Sequence, residues 1–170
     1  MASPISTERF YIRELTVDDA QQGYLDWFKQ TEINKYIANV PSCLADLSMY
    51  IEENLADKTA FLFGVFSRES NQHIGNIRYE FAYEAQDKID MGILIGEESW
   101  RGKGVASEVI IASALFFKEK FSVKTVILGV DSANVAAVKV YEKIGFIEKE
   151  KILIEAPEKI GILMVWDLLD

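Results

Sequence analysis

The chain has 170 residues, which suits one domain with a sizeable buried core, and its 49% apolar and 26% charged residues are ordinary for a globular protein. A net charge of −9 repels polyanions and argues against nucleic acid as a partner, while it slightly favours cationic substrates such as amines. The sequence shows neither a secretory signal nor a long apolar span, and its single cysteine, Cys43, excludes an internal disulfide, so we expect one cytoplasmic domain over residues 1–170 without membrane contact.

The first third of the chain predicts one strand followed by helices. Residues 9–15 have the pattern of a strand, and Thr16 suits the N-cap of a helix that reaches about Gln30. Residues 31–38 predict a further helical turn, and another helix follows around residues 44–55. These helices precede the main run of strands.

The middle of the chain predicts most of a sheet. Apolar residues alternate over residues 61–65, and residues 73–82 predict the antiparallel neighbour of that strand. The next strand, over residues 88–96, is followed by a helix from 104 to 120 and by a strand over residues 123–130. Because this strand–helix–strand unit needs a crossover, its two strands are expected to be parallel.

The last part of the chain predicts a helix and a hairpin. The helix covers residues 134–144, and Gly145 suits the left-handed position that ends it. Residues 146–154 and 162–169 then predict two closing strands. The expected fold is α/β (α+β), with a mixed, mostly antiparallel seven-stranded sheet and helices on both faces.

A glycine-rich turn, Trp100 to Ser107, lies between a predicted strand and a helix. Glycines at Gly102 and Gly104 allow several backbone N–H groups to point at one spot, and the helix N-terminus adds partial positive charge. Arg101 and Lys103 add local positive charge. The turn therefore indicates an anion site for a phosphate or pyrophosphate, although the same glycines would also serve a plain tight turn.

Two common nucleotide sites do not fit this turn. A dinucleotide-binding fold needs glycine where Ser107 stands and an acidic residue about twenty positions later, but residues 122–128 contain no acid. A P-loop needs its first glycine where Glu97 stands. Both readings fail on the residues themselves.

Two sequence motifs resemble those of the GNAT N-acetyltransferases. Arg101-x-x-Gly104-x-Ala106 matches the Arg/Gln-x-x-Gly-x-Gly/Ala motif of that family, between the fourth strand and the next helix. About thirty residues later, the segment Asn134 to Phe146 is similar to the family's second motif. The resemblance covers nearly the whole chain, and it is nearest to the branch of ribosomal-protein N-terminal and amino-sugar acetyltransferases.

The resemblance implies a fold and a coenzyme site. Strands four and five would splay apart, and acetyl-CoA would lie between them while a primary amine attacks the thioester directly. Pantetheine would pair with the fourth strand, the pyrophosphate would rest on backbone N–H groups of the turn, and Asn134 would contact the coenzyme. The implied coenzyme-binding residues are Ile93, Leu94, Ile95, Arg101, Gly102, Lys103, Gly104, Val105, Ala106 and Asn134.

The resemblance also implies a general acid but leaves the base open. Tyr141 matches the tyrosine that protonates the departing thiolate in many family members, although it also fits an ordinary apolar helix stripe. Some relatives carry a glutamate on the fifth strand where this chain has Gly129. The base is therefore unknown. The alternatives are a chain of water molecules or one of four acids: Glu80, Glu84, Asp90 and Glu97.

The acceptor and the partners remain open at this stage. A protein N-terminus, an amino sugar, a polyamine or an aminoglycoside would each present an amine, and the sequence offers Trp27, Tyr36, Tyr83 and Glu84 for an acceptor pocket. With one histidine, His73, and no cluster at metal-ligand spacing, we expect no metal. The sequence is compatible with a homodimer. The alternative function is a non-catalytic acyl-CoA-binding sensor or regulator, which the missing glutamate at Gly129 motivates.

Overall fold

A mixed sheet organises the computed structural model, which describes residues 3–35, 39–154 and 159–169. In these residues eight strands follow the order β1-β2-β3-β4-β5-β6-β8-β7. The strands are β1 (Ile5–Ser6), β2 (Phe10–Glu14), β3 (Ala60–Ser67), β4 (His73–Ala82), β5 (Ala85–Ile95), β6 (Thr125–Asp131), β7 (Ile147–Ile154) and β8 (Lys159–Asp167). The helices are α1 (Gln22–Trp27), α2 (Thr31–Asn34), α3 (Leu44–Ala56), α4 (Val105–Phe121) and α5 (Val135–Ile144), with 3₁₀ turns at Val17–Asp19 and Glu98–Trp100.

The mixed, mostly antiparallel sheet is confirmed, but it has one strand more than the seven predicted. The additional strand, β1, pairs Ile5 with Ile12 and Ser6 with Tyr11 of β2. Because β1 has only two residues, it offers no alternation from which a strand can be recognised. The predicted fourth and fifth strands correspond to β5 and β6.

The single helix predicted from Thr16 to Gln30 is divided into a 3₁₀ turn and α1. The Asp19 carboxylate accepts from the Thr16 backbone N–H at 2.8 Å and from both terminal nitrogens of Arg13 at 2.9 and 2.8 Å. These bonds fix the 3₁₀ turn against β2, so the α-helix does not begin until Gln22. Of the helical turn predicted over residues 31–38, residues 31–34 form α2, and residues 36–38 lie outside the described residues.

The parallel pair separates after a short contact. β5 and β6 pair only at Lys88, Ile89 and Asp90, opposite residues 125–127. Beyond that point β5 continues to Ile95 beside β4, and β6 continues beside β8. Since backbone groups alternate between the two edges of a strand, about half of those in residues 91–95 of β5 point into the gap.

Helices cover the two faces of the sheet differently. The larger core lies under α4 and α5 and includes Ile89, Met91, Val109 and Phe117. The smaller core lies under α1 and α3 on the opposite face and includes Trp27. Within the described ranges, no helix is long and apolar enough to span a membrane.

One edge of the sheet is formed by β7, and its first half is charged and exposed. Residues Glu148, Lys149, Glu150 and Lys151 alternate in charge, and each is open to solvent. The pairing of β7 with β8 also shifts register between Glu148 and Glu150, which indicates a β-bulge. This edge is therefore irregular and polar.

Candidate active site

A cavity of ≈ 720 Å³ opens where β5 and β6 separate. Residues from α1 and β4 line one part of it, and the turn before α4 together with α5 lines another, so the cavity reaches both faces of the sheet. Tyr141 lines it, whereas Lys103 does not. The predicted coenzyme residues that line it are Ile93, Leu94, Ile95, Arg101, Gly102, Gly104, Val105, Ala106 and Asn134.

The glycine-rich turn has the backbone conformation that the glycines were expected to permit. Gly102 and Gly104 have φ angles of 70° and 75°, in the left-handed region that favours glycine. The first internal bond of α4 runs from the Glu108 N–H to the Gly104 carbonyl at 3.2 Å. In the described part of the chain no acceptor bonds the N–H groups of residues 102–107. Such unpaired amides at a helix start fit an anionic diphosphate.

The Arg101 side chain fastens the turn to the end of β5. Its Nε donates to the Ile95 carbonyl at 3.1 Å, and its Nη2 donates to the Gly96 carbonyl at 3.0 Å and to Gln30 Oε1 at 2.6 Å. Its backbone N–H donates to the Glu98 carbonyl at 3.1 Å, so the unpaired amides begin at Gly102. Arg101 therefore holds the turn in place, and its guanidinium is already engaged by the protein.

Gln30 and Trp27 join the coenzyme turn to the helices of the opposite face. The Gln30 Nε2 donates to the Gly96 carbonyl at 3.1 Å, on the same residue that Arg101 contacts. A Cβ added to Gly96 would lie 1.9 Å from the Trp27 ring, so only glycine fits this crossing. Trp27 also donates through Nε1 to Glu97 at 2.9 Å. Glu97 and Trp27 thus form a structural junction.

Tyr141 lies on α5 and Asn134 is the N-cap of that helix, and both line the cavity. Burial raises the pKa of Tyr141 to about 12, so its phenol keeps its proton at neutral pH. Asn134 accepts from the Ala137 backbone N–H at 3.3 Å and caps the helix. The cap occupies the side-chain oxygen of Asn134 and leaves its NH₂ group for other contacts.

The four acids considered as bases have different surroundings. Glu80 pairs with Arg78 at 2.7 Å, Glu84 is exposed in the turn between β4 and β5, and Glu97 accepts from Trp27. Asp90 lies at the point where β5 and β6 separate. The surrounding protein atoms and the Glu80 carboxylate raise the pKa of Asp90 to about 6, although the Arg78 charge opposes this and the carboxylate stays accessible to water.

The sequence did not identify the polar groups on the α1 and α3 side of the cavity. Asn76 and Arg78 project there from β4, because Ile77 and Tyr79 between and beside them are fully buried on the other face. Arg78 Nε donates to Asn54 Oδ1 at 2.6 Å. The alternation of polar and apolar residues along β4 was the sequence signal that could have placed Asn76 and Arg78 on this face. Among the described residues, the further polar side chains that line this part of the cavity include Tyr24, Glu32, Asn39 and Tyr50.

His73 supports this wall from behind. Its ring stacks on Phe66 at 4.7 Å and meets Trp27 edge-on at 4.9 Å, and burial lowers its pKa. His73 Nε2 lies 2.7 Å from Asn76 Oδ1. Because a carboxamide oxygen only accepts hydrogen bonds, the imidazole donates and fixes the orientation of Asn76.

The other residues suggested for an acceptor pocket lie elsewhere. Trp27 is buried in the smaller core, while Tyr83 and Glu84 are exposed at the tip of a hairpin. Tyr36 lies outside the described residues. Within the described ranges, no group of three or more His, Cys, Asp or Glu residues is placed to hold a metal ion.

Comparison with known proteins identifies the family. The family profile described as an acetyltransferase (GNAT) domain matches residues 9–147, so the chain belongs to the GNAT acetyltransferase family. No curated protein sequence gives a significant match.

Solved structures share the fold over nearly the whole chain. A GNAT-family acetyltransferase from Bacillus anthracis is 20% identical, with 96% of this chain and 97% of that chain covered and a TM-score of 0.84. A ribosomal-protein alanine acetyltransferase from Vibrio fischeri is 14% identical, with coverage of 99% and 98% and a TM-score of 0.81. An aminoglycoside acetyltransferase solved in complex with coenzyme A is 20% identical, with coverage of 94% and 95% and a TM-score of 0.78.

Proposed function

We propose that the chain is an acetyl-CoA-dependent N-acetyltransferase that moves an acetyl group to a primary amine by direct attack in a ternary complex. The observation that carries this proposal is the run of unpaired N–H groups over residues 102–107, set by two left-handed glycines at the mouth of the gap between β5 and β6. A diphosphate linkage fits this cradle. The solved relative that holds coenzyme A supports the same ligand.

The coenzyme supplies an acetyl group activated as a thioester. Residues 102–107 would hold its pyrophosphate, and the unpaired edge of β5 over residues 93–95 would hold the pantetheine arm. Amide donors on that edge, fixed in the sheet, would stabilise the oxyanion without having to reorganise. Tyr141 would give its proton to the departing thiolate, because burial raises its pKa to about 12 and so keeps the phenol protonated at neutral pH.

The acceptor amine would enter from the opposite face of the sheet. The wall there combines the apolar side chains of Phe28 and Leu62 with Asn76 and Arg78. This lining suits a small-molecule or peptide amine. The acidic protein as a whole favours a cationic acceptor and disfavours nucleic acid. A cytoplasmic location is part of this proposal.

Release of free thiol tests the proposed activity. The protein is mixed with acetyl-CoA and a panel of protein N-terminal peptides, amino sugars, polyamines and aminoglycosides, and the thiol is measured with time. We expect at least one amine to give turnover, and Tyr141→Phe to lower kcat by about 100-fold with coenzyme affinity unchanged, since a general acid contributes roughly 10²–10⁴ to the rate.

The alternative function is a coenzyme-binding sensor without turnover. It is favoured by Gly129, which stands where some relatives carry a glutamate, so β6 offers no carboxylate at that position. Tight coenzyme binding with no thiol release from any amine would select this alternative. Loss of coenzyme binding itself would contradict both functions.

A further inference from the structure

Asp90 occupies the point at which the gap between β5 and β6 begins. It is the last residue of β5 to pair with β6, opposite Ile127. Its strand neighbours Ile89 and Met91 are buried in the larger core, so Asp90 projects toward the opposite face of the sheet. That face is the one from which the acceptor would approach, whereas Tyr141 lies on the face of α4.

The space beside Asp90 leads into the cavity. The next residue on its face of β5 is Gly92, which lines the cavity. A Cβ added to Gly92 would meet no atom within 4 Å. Asp90 itself does not line the cavity, so a proton would pass from an amine in the cavity to its carboxylate through water beside Gly92.

The charged groups around Asp90 leave it available for proton transfer. Across the sheet, Glu80 of β4 is its register partner, and Arg78 of β4 is bonded to Glu80 and Asn54. Lys88 precedes Asp90 on the same face of β5, and the facing positions of β6 are the uncharged Thr125 and Ile127. Among the described residues, none forms a hydrogen bond or ion pair with the Asp90 carboxylate.

We propose that Asp90 is the general base of the acetyl transfer, a role that rests on the proposed function. The Asp90 carboxylate takes one proton, through the water beside Gly92, from the ammonium group of the acceptor. The nitrogen then bonds to the thioester carbonyl carbon and passes its second proton through the same water to solvent. The carbon–sulfur bond breaks, and the Tyr141 hydroxyl protonates the departing thiolate. Asp90 releases its proton to solvent, and Tyr141 regains one from solvent, so one proton is produced per acetyl group transferred.

The other three acids do not satisfy the same conditions. Glu97 is bonded to Trp27, Glu84 is in a solvent-exposed hairpin turn, and Glu80 is paired with Arg78. Asp90 is therefore the one of the four that combines the acceptor face, an open path and an unengaged carboxylate. A pKa raised to about 6 by the surrounding protein atoms and Glu80 makes it a stronger base than an ordinary aspartate and leaves it ionised at neutral pH.

The test is the pH dependence of kcat with an amine that the wild-type protein acetylates. Wild-type kcat at saturating amine should fall about tenfold per pH unit below roughly pH 6, as a single essential base requires. Asp90→Asn should lower kcat by about 100-fold or more and abolish this acid limb, with coenzyme affinity unchanged. Asp90→Glu, which keeps a carboxylate, should recover part of the rate.

Glu80→Gln provides a readout that a purely structural role would not change. Removing the like charge lowers the pKa of Asp90, so the acid limb should move to lower pH while kcat at about pH 8 stays the same. If Asp90→Asn keeps both kcat and the acid limb of the wild type, the inference is wrong while the proposed function stands. If the wild-type protein releases thiol with no amine, the proposed function fails, and the role of Asp90 fails with it.

Discussion

Replacing Gly104 with alanine separates the backbone conformation of the coenzyme turn from its packing. Gly104 has a φ angle of 75°, and the nearest atom to an added Cβ would be Arg9 Nη2 at 3.7 Å, which is an ordinary contact. The substitution therefore introduces no clash. Its effect comes from holding a side chain in the left-handed region, which costs roughly 1–2 kcal/mol for a residue other than glycine.

The same strain is expected to reach the coenzyme. If the turn relieves the strain by moving toward negative φ, the N–H groups on either side of Gly104 rotate away from a common point. Losing one bond to a charged group costs about 1.5–3 kcal/mol, which corresponds to a Kd for coenzyme A that is roughly 10- to 100-fold weaker. The unfolding free energy should fall by about 1–2 kcal/mol in parallel.

Calorimetric titration with coenzyme A and urea unfolding measure the two effects. Gly23→Ala is the matched control, because Gly23 lies within α1 with no atom within 4 Å of an added Cβ and no positive φ. The control should be more stable by about 0.5–1 kcal/mol, with unchanged affinity. A Gly104→Ala protein that binds coenzyme A as tightly as the wild type would refute the assignment of this turn.

Two further changes test other parts of the site. Gln30→Ala removes the bonds to Arg101 and Gly96, so titration should show coenzyme affinity weakened by about 3- to 10-fold although Gln30 does not line the cavity. The control Gln22→Ala loses only an exposed bond to Asp26 and should leave the affinity unchanged. Equal affinities of the Gln30→Ala and wild-type proteins would show that Gln30 does not support the coenzyme turn. Asp90→Asn should raise the melting temperature at about pH 8, because the folded-state pKa of about 6 exceeds the usual 3.8 and ionisation of Asp90 therefore destabilises the fold. The gain in melting temperature should shrink as the pH falls through 6 toward 4, where Asp90 becomes protonated. A melting temperature below that of the wild type at pH 8 would contradict this prediction.

Local patterns in the sequence were sufficient for most of the fold. Alternation identified the longer strands, and the crossover rule gave the parallel pairing of β5 with β6. The glycines predicted a tight turn before α4, and the structure has positive φ angles at Gly102 and Gly104 there. Local signals failed for β1, because a strand of two residues shows no pattern. They also failed at Asp19, because the hydrogen bond from Arg13 of β2 ends the first helical turn there.

The candidate site depended more on contacts between distant parts of the chain. Arg101 belongs to a motif that suggests a phosphate contact, but its guanidinium bonds to Gln30, a residue far away in sequence. The distinctive surroundings of Asp90 come from Glu80 across the sheet. Such pairings follow from strand register, and register is fixed only when the whole sheet assembles.

The charged, bulged margin formed by the first half of β7 affects how copies of this protein meet. An exposed strand edge is a template for edge-to-edge growth, and alternating Glu and Lys with a bulge makes that growth unfavourable because an incoming strand meets an irregular ladder and must desolvate charges. At the other margin β1 offers only two residues. Both margins of the sheet thus carry features that oppose fibril-like polymerisation, namely the charged bulge of β7 and the short length of β1.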